Sequence, residues 1–190
     1  MIDTVLLRIA KTAILSKFDS SFSINKESLI KQYPSLNDQG AAFVTLHYDK
    51  QLRGCIGSIV AHTTLLDDII NNAKSAAFRD PRFAPLEDKE LGHLTLEVSV
   101  LTPPQEIEYL DFKDLTSKIV PSEDGLILQY GQYQGTFLPQ VWEQLATPKE
   151  FLEHLSYKAN ANPSIYTHHP SIYKYRVEAR EEKFNAIQPL

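Results

Sequence analysis

The sequence predicts an α+β protein with a mainly antiparallel sheet and packed helices. Segments rich in valine, isoleucine, phenylalanine and threonine occur in pairs separated by short turns, which is typical of β-hairpins. Segments with apolar residues at helical spacing lie between these pairs. The chain has 190 residues, of which 43% are apolar and 23% are charged. It can therefore bury a substantial core, and we expect a single compact domain over residues 1–190.

Helical patterns are predicted at five places along the chain. Apolar residues recur at helical spacing over residues 3–17 and again over 65–78, which predicts two amphipathic helices. Shorter helices are expected at 26–33, around 87–91 and from residue 148 onward. Three of these helices follow a residue whose side chain can accept hydrogen bonds from the first turn: Asn25, Thr64 and Thr147.

Strand patterns are short and bounded by turn residues. A first hairpin is expected to turn at residues 49–51, and a second to turn near Gly131. The single strand between the hairpins ends at two consecutive prolines, which cannot continue a sheet. The predicted strands are 41–48, 52–59, 94–101, 125–131, 133–138 and 173–178.

Charge and cysteine content exclude several classes of protein. The net charge is −5 and the 19 Lys and Arg residues form no block, so nucleic acid is not an expected partner. No apolar run reaches the length of a membrane span, and charge interrupts the N-terminal segment early, so we expect a cytoplasmic protein without membrane contact. One cysteine allows no internal disulfide and no cysteine-based zinc site. The sequence indicates no metal or cofactor.

The segment Leu52–Gly57, which reads Leu-Arg-Gly-Cys-Ile-Gly, contains this single cysteine. Side chains alternate between the two faces of a strand, so Arg53 and Cys55 are expected on one face. Leu52 and Ile56 are expected on the other face, in the core.

The same alternation applies to the strand predicted at 94–101. Its odd-numbered residues are polar, and they include Glu97 and Ser99. If both strands belong to one sheet and share a core, these polar residues lie on the same face as the cysteine. The expected members of this polar face are Arg53, Cys55, Glu97, Ser99 and His47.

Two interpretations of Cys55 stay open. In the first, Cys55 is a nucleophile activated by Arg53, and Glu97 acts as an acid or base. Half-ionising a free thiol at neutral pH requires about 2 kcal/mol, which a partly buried guanidinium at about 4 Å can supply. In the second, Glu97 neutralises Arg53 and Cys55 is a packed thiol. Free cysteine is frequently buried as a small hydrophobe, which favours the second interpretation.

A binding role without chemistry is the alternative to an enzyme. Arg53 and Arg82 would hold a carboxylate or phosphate, while the two glycines would let this small anionic ligand approach the backbone. The glycines could equally mark a bulge, and the turn at 80–82 could be held by its own ion pairs. A further alternative is a docking subunit for a partner protein. The candidate ligand-binding residues are Arg53, Gly54, Gly57, Asp80, Arg82 and Ser99.

Several blocks of the sequence resemble the AMMECR domain family in order and spacing. The blocks are 52–57, 72–73, 80–83, 97–101, 125–128, 138–141, 151–152 and 158–159. The resemblance is strongest over residues 40–160. This sequence departs from the family pattern at Pro121-Ser122 and at Asn160, where the family usually has glycine.

The resemblance implies one compact α+β domain with two unequal lobes and a functional surface at Leu52–Gly57. It implies Memo-type and radical-SAM proteins as partners, and a role in a modification or redox pathway. It implies no particular reaction, because the family's biochemical activity is not established. Whether the chain is an enzyme therefore stays open at the level of the sequence.

Overall fold

The computed structural model describes residues 4–190 and confirms the predicted α+β class. The helices are α1 (Thr4–Leu15), α2 (Lys26–Gln32), α3 (Leu65–Phe78), α4 (Phe112–Ser117) and α5 (Pro148–Lys158). The strands are β1 (Gln39–Tyr48), β2 (Gln51–Gly57), β3 (Thr63–Thr64), β4 (Leu94–Leu101), β5 (Gln105–Glu106), β6 (Gly125–Tyr130), β7 (Tyr133–Phe137), β8 (Ser171–Tyr175) and β9 (Val177–Lys183). None of the described helices is long and apolar enough to cross a membrane.

Most predicted elements are present within a few residues of their expected bounds. The helix expected at 87–91 is a 3₁₀ helix, Asp88–His93. The predicted start of the first helix, at residue 3, lies outside the described residues. The chain forms two compact units, one of residues 4–101 with 178–190 and one of residues 102–177. The assignment of residues 1–190 to a single domain stays a prediction.

The first unit contains a five-stranded sheet in the order β2-β1-β4-β9, with β3 paired to the start of β1. The pairs of β1 with β2 and with β4 are antiparallel. Even-numbered side chains of β1 and β4 enter the core formed with α1 and α3. Fully buried examples are Val44, Leu46, Leu96 and Val98. The odd-numbered side chains of both strands therefore lie on the opposite face of the sheet.

Polar side chains attach α3 to the sheet. Thr64 caps the helix by accepting a hydrogen bond from the Asp67 backbone N–H at 3.2 Å. One turn further, the buried Asp68 accepts the Ala42 backbone N–H at 2.8 Å. Asn72 donates to the Ala42 carbonyl at 3.0 Å. Both backbone groups of one β1 residue are thus satisfied by α3, which fixes the position of the helix along the strand.

The first hairpin turns over two residues instead of the three that the sequence predicts. Asp49 and Lys50 both have positive φ, 45° and 70°. Two consecutive positive φ values are required by the tight turn whose twist matches paired strands. Gln51 already belongs to β2.

The second unit contains a four-stranded sheet in the order β5-β8-β6-β7. Its core is built on α5 and Trp142, whose ring stacks on Phe151 with centroids 3.9 Å apart. The indole N–H of Trp142 donates to the Asp124 carbonyl at 2.7 Å. The polar atom of this large buried side chain is therefore satisfied.

The prediction of one continuous last strand at 173–178 is wrong. Its residues belong to two strands of different sheets, β8 and β9. Arg176 separates them, and its backbone N–H and carbonyl both bond to Thr102, at 2.8 Å each. Alternation of apolar and polar residues is the same in both strands, so it does not reveal where one sheet ends and another begins.

Two residues adopt the left-handed backbone conformation at the places where the resembling family has glycine. Ser122 has φ of 67° and Asn160 has φ of 61°. Asn160 follows α5, and its N–H bonds to the Tyr157 carbonyl at 3.0 Å. Asparagine tolerates this conformation better than most residues, so α5 retains its C-terminal cap.

Candidate functional site

Three polar residues form a row across the first sheet. Thr45 of β1 pairs with Cys55 of β2 on one side and with Glu97 of β4 on the other. All three are partly exposed and lie on the face opposite the core. Because neighbouring strands lie about 4.8 Å apart, Cys55 and Glu97 are separated by about 10 Å. The sequence correctly predicts that they share a face, and the structure places Thr45 between them.

Hydrogen bonds join Thr45 to Cys55 within this row and Ser99 to Glu97 beside it. The Thr45 hydroxyl lies 3.2 Å from the Cys55 Sγ and donates to it. The Ser99 hydroxyl donates to Glu97 Oε1 at 3.0 Å. His47 lies on the same face, with Nδ1 4.0 Å from Glu181 Oε2. We name this surface the Thr45 face; its members are Thr45, His47, Cys55, Glu97 and Ser99.

Sequence reasoning missed Thr45. The signal that could have found it is its odd-numbered position in the strand predicted at 41–48, the same alternation that indicated His47. Its position between the thiol and the carboxylate depends on strand order. Strand order follows from tertiary pairing, which alternation does not reveal.

Arg53 is paired with Glu90 and not with Glu97. Its Nε donates to Glu90 Oε1 at 2.7 Å and its Nη2 donates to Oε2 at 3.0 Å. Both side chains are largely buried, at 13% and 18% exposure. The guanidinium hydrogen bonds lower the pKa of Glu90 below its usual value. The charge of Arg53 is therefore balanced by a bidentate partner next to it.

A β-bulge explains why the core prediction for Leu52 is wrong. Leu46 pairs with Gly54, but the next residue of β1, His47, pairs with Leu52. Arg53 is the extra residue of the bulge, and such a residue shifts the alternation of the strand. Leu52 is consequently 40% exposed.

Both glycines of the motif are required by packing within the protein. A Cβ on Gly54 would lie 2.1 Å from the carbonyl oxygen of Ala76 in α3. A Cβ on Gly57 would lie 2.2 Å from the ring of Phe43. The space that a side chain would need is therefore filled by the protein itself, as the structural interpretation of these glycines expects.

Asp80 and Arg82 complete the outer edge of β2. Asp80 Oδ2 accepts the backbone N–H of Cys55 at 3.0 Å, and Arg82 Nη2 donates to the Cys55 carbonyl at 3.3 Å. A neighbouring strand would satisfy the same two backbone groups. These two side chains thus take the place of a strand and protect the edge at this residue.

Asp80 is also bound to Arg82 itself. It accepts hydrogen bonds from the Arg82 Nε at 3.0 Å, Nη2 at 2.8 Å and backbone N–H at 3.1 Å. The Asp80 side chain is only 2% exposed. The hydrogen bonds from Arg82 are the main reason that the pKa of Asp80 lies far below its usual range.

The ring of Phe83 lies beside both guanidinium groups. Its centroid is 5.9 Å from the Arg53 Cζ and 5.5 Å from the Arg82 Cζ. Contacts of this kind are attractive because the ring face carries negative charge. Phe83 therefore connects the two ion pairs beside Cys55.

The electrostatic balance of the site follows from these pairs. Arg53 and Arg82, the two arginines beside Cys55, are each paired with a carboxylate of their own, so their charges are balanced locally. Within residues 4–190, no three His, Cys, Asp or Glu side chains are grouped closely enough to hold a metal ion. The groups that the Thr45 face presents are a thiol, two hydroxyls, a carboxylate and an imidazole.

Comparisons with known proteins show which family this chain is similar to. A sequence model of the AMMECR1 family matches residues 7–180. Protein MJ0810 of Methanocaldococcus jannaschii is 36% identical over 188 residues, which cover 94% of this chain and 89% of that protein. Protein SSO0193 of Saccharolobus solfataricus is 39% identical over 172 residues, which cover 87% of this chain and 74% of that protein.

A solved structure agrees with these sequence matches. The crystal structure of PH0010 from Pyrococcus horikoshii matches with a TM-score of 0.79 and 33% sequence identity, covering 98% of this chain and 96% of that chain. The family match includes the Leu52–Gly57 segment and extends over most of both compact units. Sequence and fold therefore lead to the same conclusion, and this chain belongs to the AMMECR1 family.

Proposed function

We propose that this chain is a docking module that binds a partner protein through the Thr45 face. The observation that carries the proposal is that Arg53 of the motif and Arg82 beside it are both paired within the chain. Arg53 is bidentate to Glu90, and Arg82 is bidentate to Asp80. Holding a small anion would require breaking one of these pairs and leaving a carboxylate without its partner, which is costly for a buried group.

The Thr45 face has the character of a protein-binding surface. It lies on three adjacent strands, β2, β1 and β4, of a sheet whose other face is packed by helices, so its side chains are held in fixed positions. Small-molecule sites are usually concave and mostly apolar. A sheet face with mixed polar groups is better suited to a partner with complementary hydrogen-bonding groups.

The family resemblance suggests which partner to test first. It associates relatives of this chain with a Memo-type protein and with a radical-SAM protein. In this proposal the Memo-type protein is the direct partner, and any modification or redox chemistry is carried out by the partners. The AMMECR1 chain would contribute binding and orientation.

The test is a binding measurement between the purified chain and the Memo-type protein of the same genome. Isothermal titration calorimetry should give a saturable complex. Thr45→Arg places a long charged side chain at the centre of the face and should raise Kd by at least about 10-fold, as expected for a central interface position. Cys55→Ser should change Kd by less than about twofold, because a docking role needs no thiol.

Gln134→Arg provides the matched control. Gln134 is an exposed strand residue of β7 in the second unit, and the same substitution type there should leave Kd unchanged. Circular dichroism establishes that each variant is folded. The proposal is contradicted if no complex forms, or if Thr45→Arg binds as tightly as the unmodified chain.

A catalytic role for Cys55 is the second candidate. It is favoured by the partial exposure of the thiol and by the Thr45 hydroxyl 3.2 Å from the sulfur, which orients it. Arg53 and Arg82 stay paired with Glu90 and Asp80 in this candidate too. Arg82 is the one whose guanidinium also binds the Cys55 carbonyl. Glu97, about 10 Å away across two strands, would act only on a substrate that spans this distance. The rate of thiol alkylation separates this candidate from docking.

A further inference from the structure

The second compact unit contains a cleft of about 500 Å³. It lies between the segment that leads into α4 and the 3₁₀ helix Pro163–His168. Its lining includes Leu110, Asp111, Phe112, Glu153, Tyr166 and His169. The cleft is distinct from the Thr45 face, all of whose residues belong to the first unit.

Aromatic rings form the walls of this cleft. The rings of Phe112 and Tyr166 have centroids 5.0 Å apart and planes inclined by 54°. The Tyr166 hydroxyl donates to the carbonyl of Leu152, so this ring is anchored at its polar end. His169 stacks on Tyr109 with centroids 4.1 Å apart. These rings are therefore held in place by contacts within the protein.

Leu110 leaves an apolar surface beside the rings. Its side chain is 88% exposed, the largest exposure among the big apolar residues that the structure describes. Its backbone N–H donates to Asp114 Oδ2 at 2.8 Å, which holds the residue in place. Leu110 therefore offers an exposed apolar contact next to a cleft with aromatic walls, the kind of lining that small-molecule sites have.

The charge of the cleft is negative. Asp111 caps α4 by accepting the Asp114 N–H at 2.8 Å and is exposed. Glu153 contributes a second carboxylate, which lies 3.9 Å from Lys149 Nζ in a largely solvated pair. Among the described residues that line the cleft, none is lysine or arginine. The cleft therefore attracts positive charge, and its aromatic rings favour a cation with an apolar surface.

We infer that this cleft binds an organic ammonium cation. The alkyl groups of the cation pack against Leu110, Phe112 and Tyr166, and its positive charge faces Asp111 and Glu153. Such a group occurs on free small molecules related to choline and on methylated lysine side chains of proteins. Both present the same chemistry to the cleft.

The test is a titration of the full chain with choline, followed by backbone amide shifts in NMR spectra. Saturable shifts are expected at residues of the cleft, with Kd below about 10 mM. The matched ligand is 3,3-dimethylbutanol, which has the shape of choline without its charge. It should bind at least about 5-fold more weakly. Binding of the neutral alcohol as tightly as choline, or an absence of saturable shifts with choline, would overturn the inference.

Two variants test the residues assigned to the site. Asp111→Asn retains a good helix cap but removes the charge, and should weaken choline binding by about 3- to 10-fold. Phe112→Leu retains apolar volume but removes the ring, and should weaken it by a similar factor. Glu143→Gln removes a carboxylate that does not line the cleft and should have no effect. Equal Kd values for all three variants would also overturn the inference.

A second ligand distinguishes the sources of the cation. N-acetyl trimethyllysine amide carries the same trimethylammonium group as choline on a protein-like side chain. Tighter binding of this compound indicates a methylated protein as the source, and tighter binding of choline indicates a free small molecule. Both results support the ammonium site.

Discussion

The carboxylate of Asp80 accepts the backbone N–H of Cys55 at 3.0 Å. This bond joins the loop after α3 to the outer edge of β2, and Arg82 adds a second bond to the carbonyl of the same cysteine. Asp80 and Arg82, two of the six candidate ligand-binding residues, thus hold the backbone of the motif. The thiol is positioned by this backbone and by Thr45.

Replacing Asp80 by asparagine should lower the free energy of unfolding by about 1–3 kcal/mol, because it weakens a buried hydrogen-bonded ion pair. The Arg82 side chain is 54% exposed, so solvent screening reduces the effect below that of a fully buried pair. Urea denaturation monitored by circular dichroism measures the change. Asp67→Asn, which weakens the exposed pair with Lys26, is the control and should cost less than about 1 kcal/mol. Equal losses for the two variants would contradict the role assigned to Asp80.

The Asp80 carboxylate should also contribute to the pH dependence of the free energy of unfolding. The folded pKa of Asp80 is lowered from its usual 3.8, chiefly by the hydrogen bonds from Arg82. A carboxylate with a lowered pKa contributes stability above its unfolded pKa, and this contribution is lost as pH falls toward the folded value. We therefore expect the unmodified chain to lose stability below about pH 4, and Asp80→Asn to lose less over the same interval. Identical slopes in urea titrations of the two proteins would exclude this contribution.

Gly54→Ala should destabilise the fold by about 3 kcal/mol or more, because its Cβ would clash with backbone and not with a flexible side chain. The added carbon would lie 2.1 Å from the Ala76 carbonyl oxygen. Gly92→Ala is the matched control, since the nearest atom to its added carbon is 3.8 Å away. Chemical denaturation should show a change of less than about 0.5 kcal/mol for the control. A tolerated alanine at Gly54 would show that α3 can move away from β2.

The coupling between Arg53 and Glu90 can be measured with a double-mutant cycle. Arg53→Met and Glu90→Gln should each lower the free energy of unfolding, and the double variant should lose less than the sum of the two. A coupling of about 1–2 kcal/mol is expected for a bidentate pair that is mostly buried. The same cycle with Arg53→Met and Glu97→Gln should give a coupling near zero. A larger coupling of Arg53 with Glu97 than with Glu90 would show that Glu90 is not its main partner.

Alkylation of Cys55 tests the catalytic candidate directly. If the chain is a docking module, iodoacetamide at about pH 6.5 should modify Cys55 no faster than a cysteine in an unstructured peptide. Mass spectrometry of timed samples gives the rate. A rate more than about 10-fold higher would favour the nucleophile and count against docking. The alkylation rate of Thr45→Val gives a second measurement, because this variant lacks the hydroxyl that donates a hydrogen bond to the Cys55 sulfur.

Addition of inorganic phosphate tests the small-anion alternative. With both arginines paired to carboxylates, phosphate at millimolar concentration should leave Tm unchanged after correction for ionic strength, because only a ligand that binds the folded state raises Tm. Differential scanning calorimetry with chloride at equal ionic strength is the comparison. A phosphate-specific rise in Tm that Arg53→Ala abolishes would restore the anion site.

Local sequence patterns were sufficient to predict most helices and strands. The caps at Asn25, Thr64 and Thr147 all accept the hydrogen bonds that their positions predict. The strand at 94–101 has the expected bounds. These features depend on residues close together in the chain, where side-chain chemistry and backbone geometry are directly related.

The failures of the sequence analysis have a common cause. Leu52 is exposed because a bulge shifts the register of β2, and the strand expected at 173–178 is divided between two sheets. Neither event changes the local pattern of apolar and polar residues. Both depend on which segment lies alongside, and alternation alone does not specify that.

The sequence by itself therefore determined the α+β class, the family and the polar face that contains Cys55 and Glu97. Only the tertiary structure decided that Glu90 neutralises Arg53, that Asp80 and Arg82 complete a strand edge, and that Thr45 separates the thiol from the carboxylate. The physical reason is that charge pairing and edge protection act over a few ångströms in space. Arg53 and Glu90, for example, are 37 positions apart in the chain.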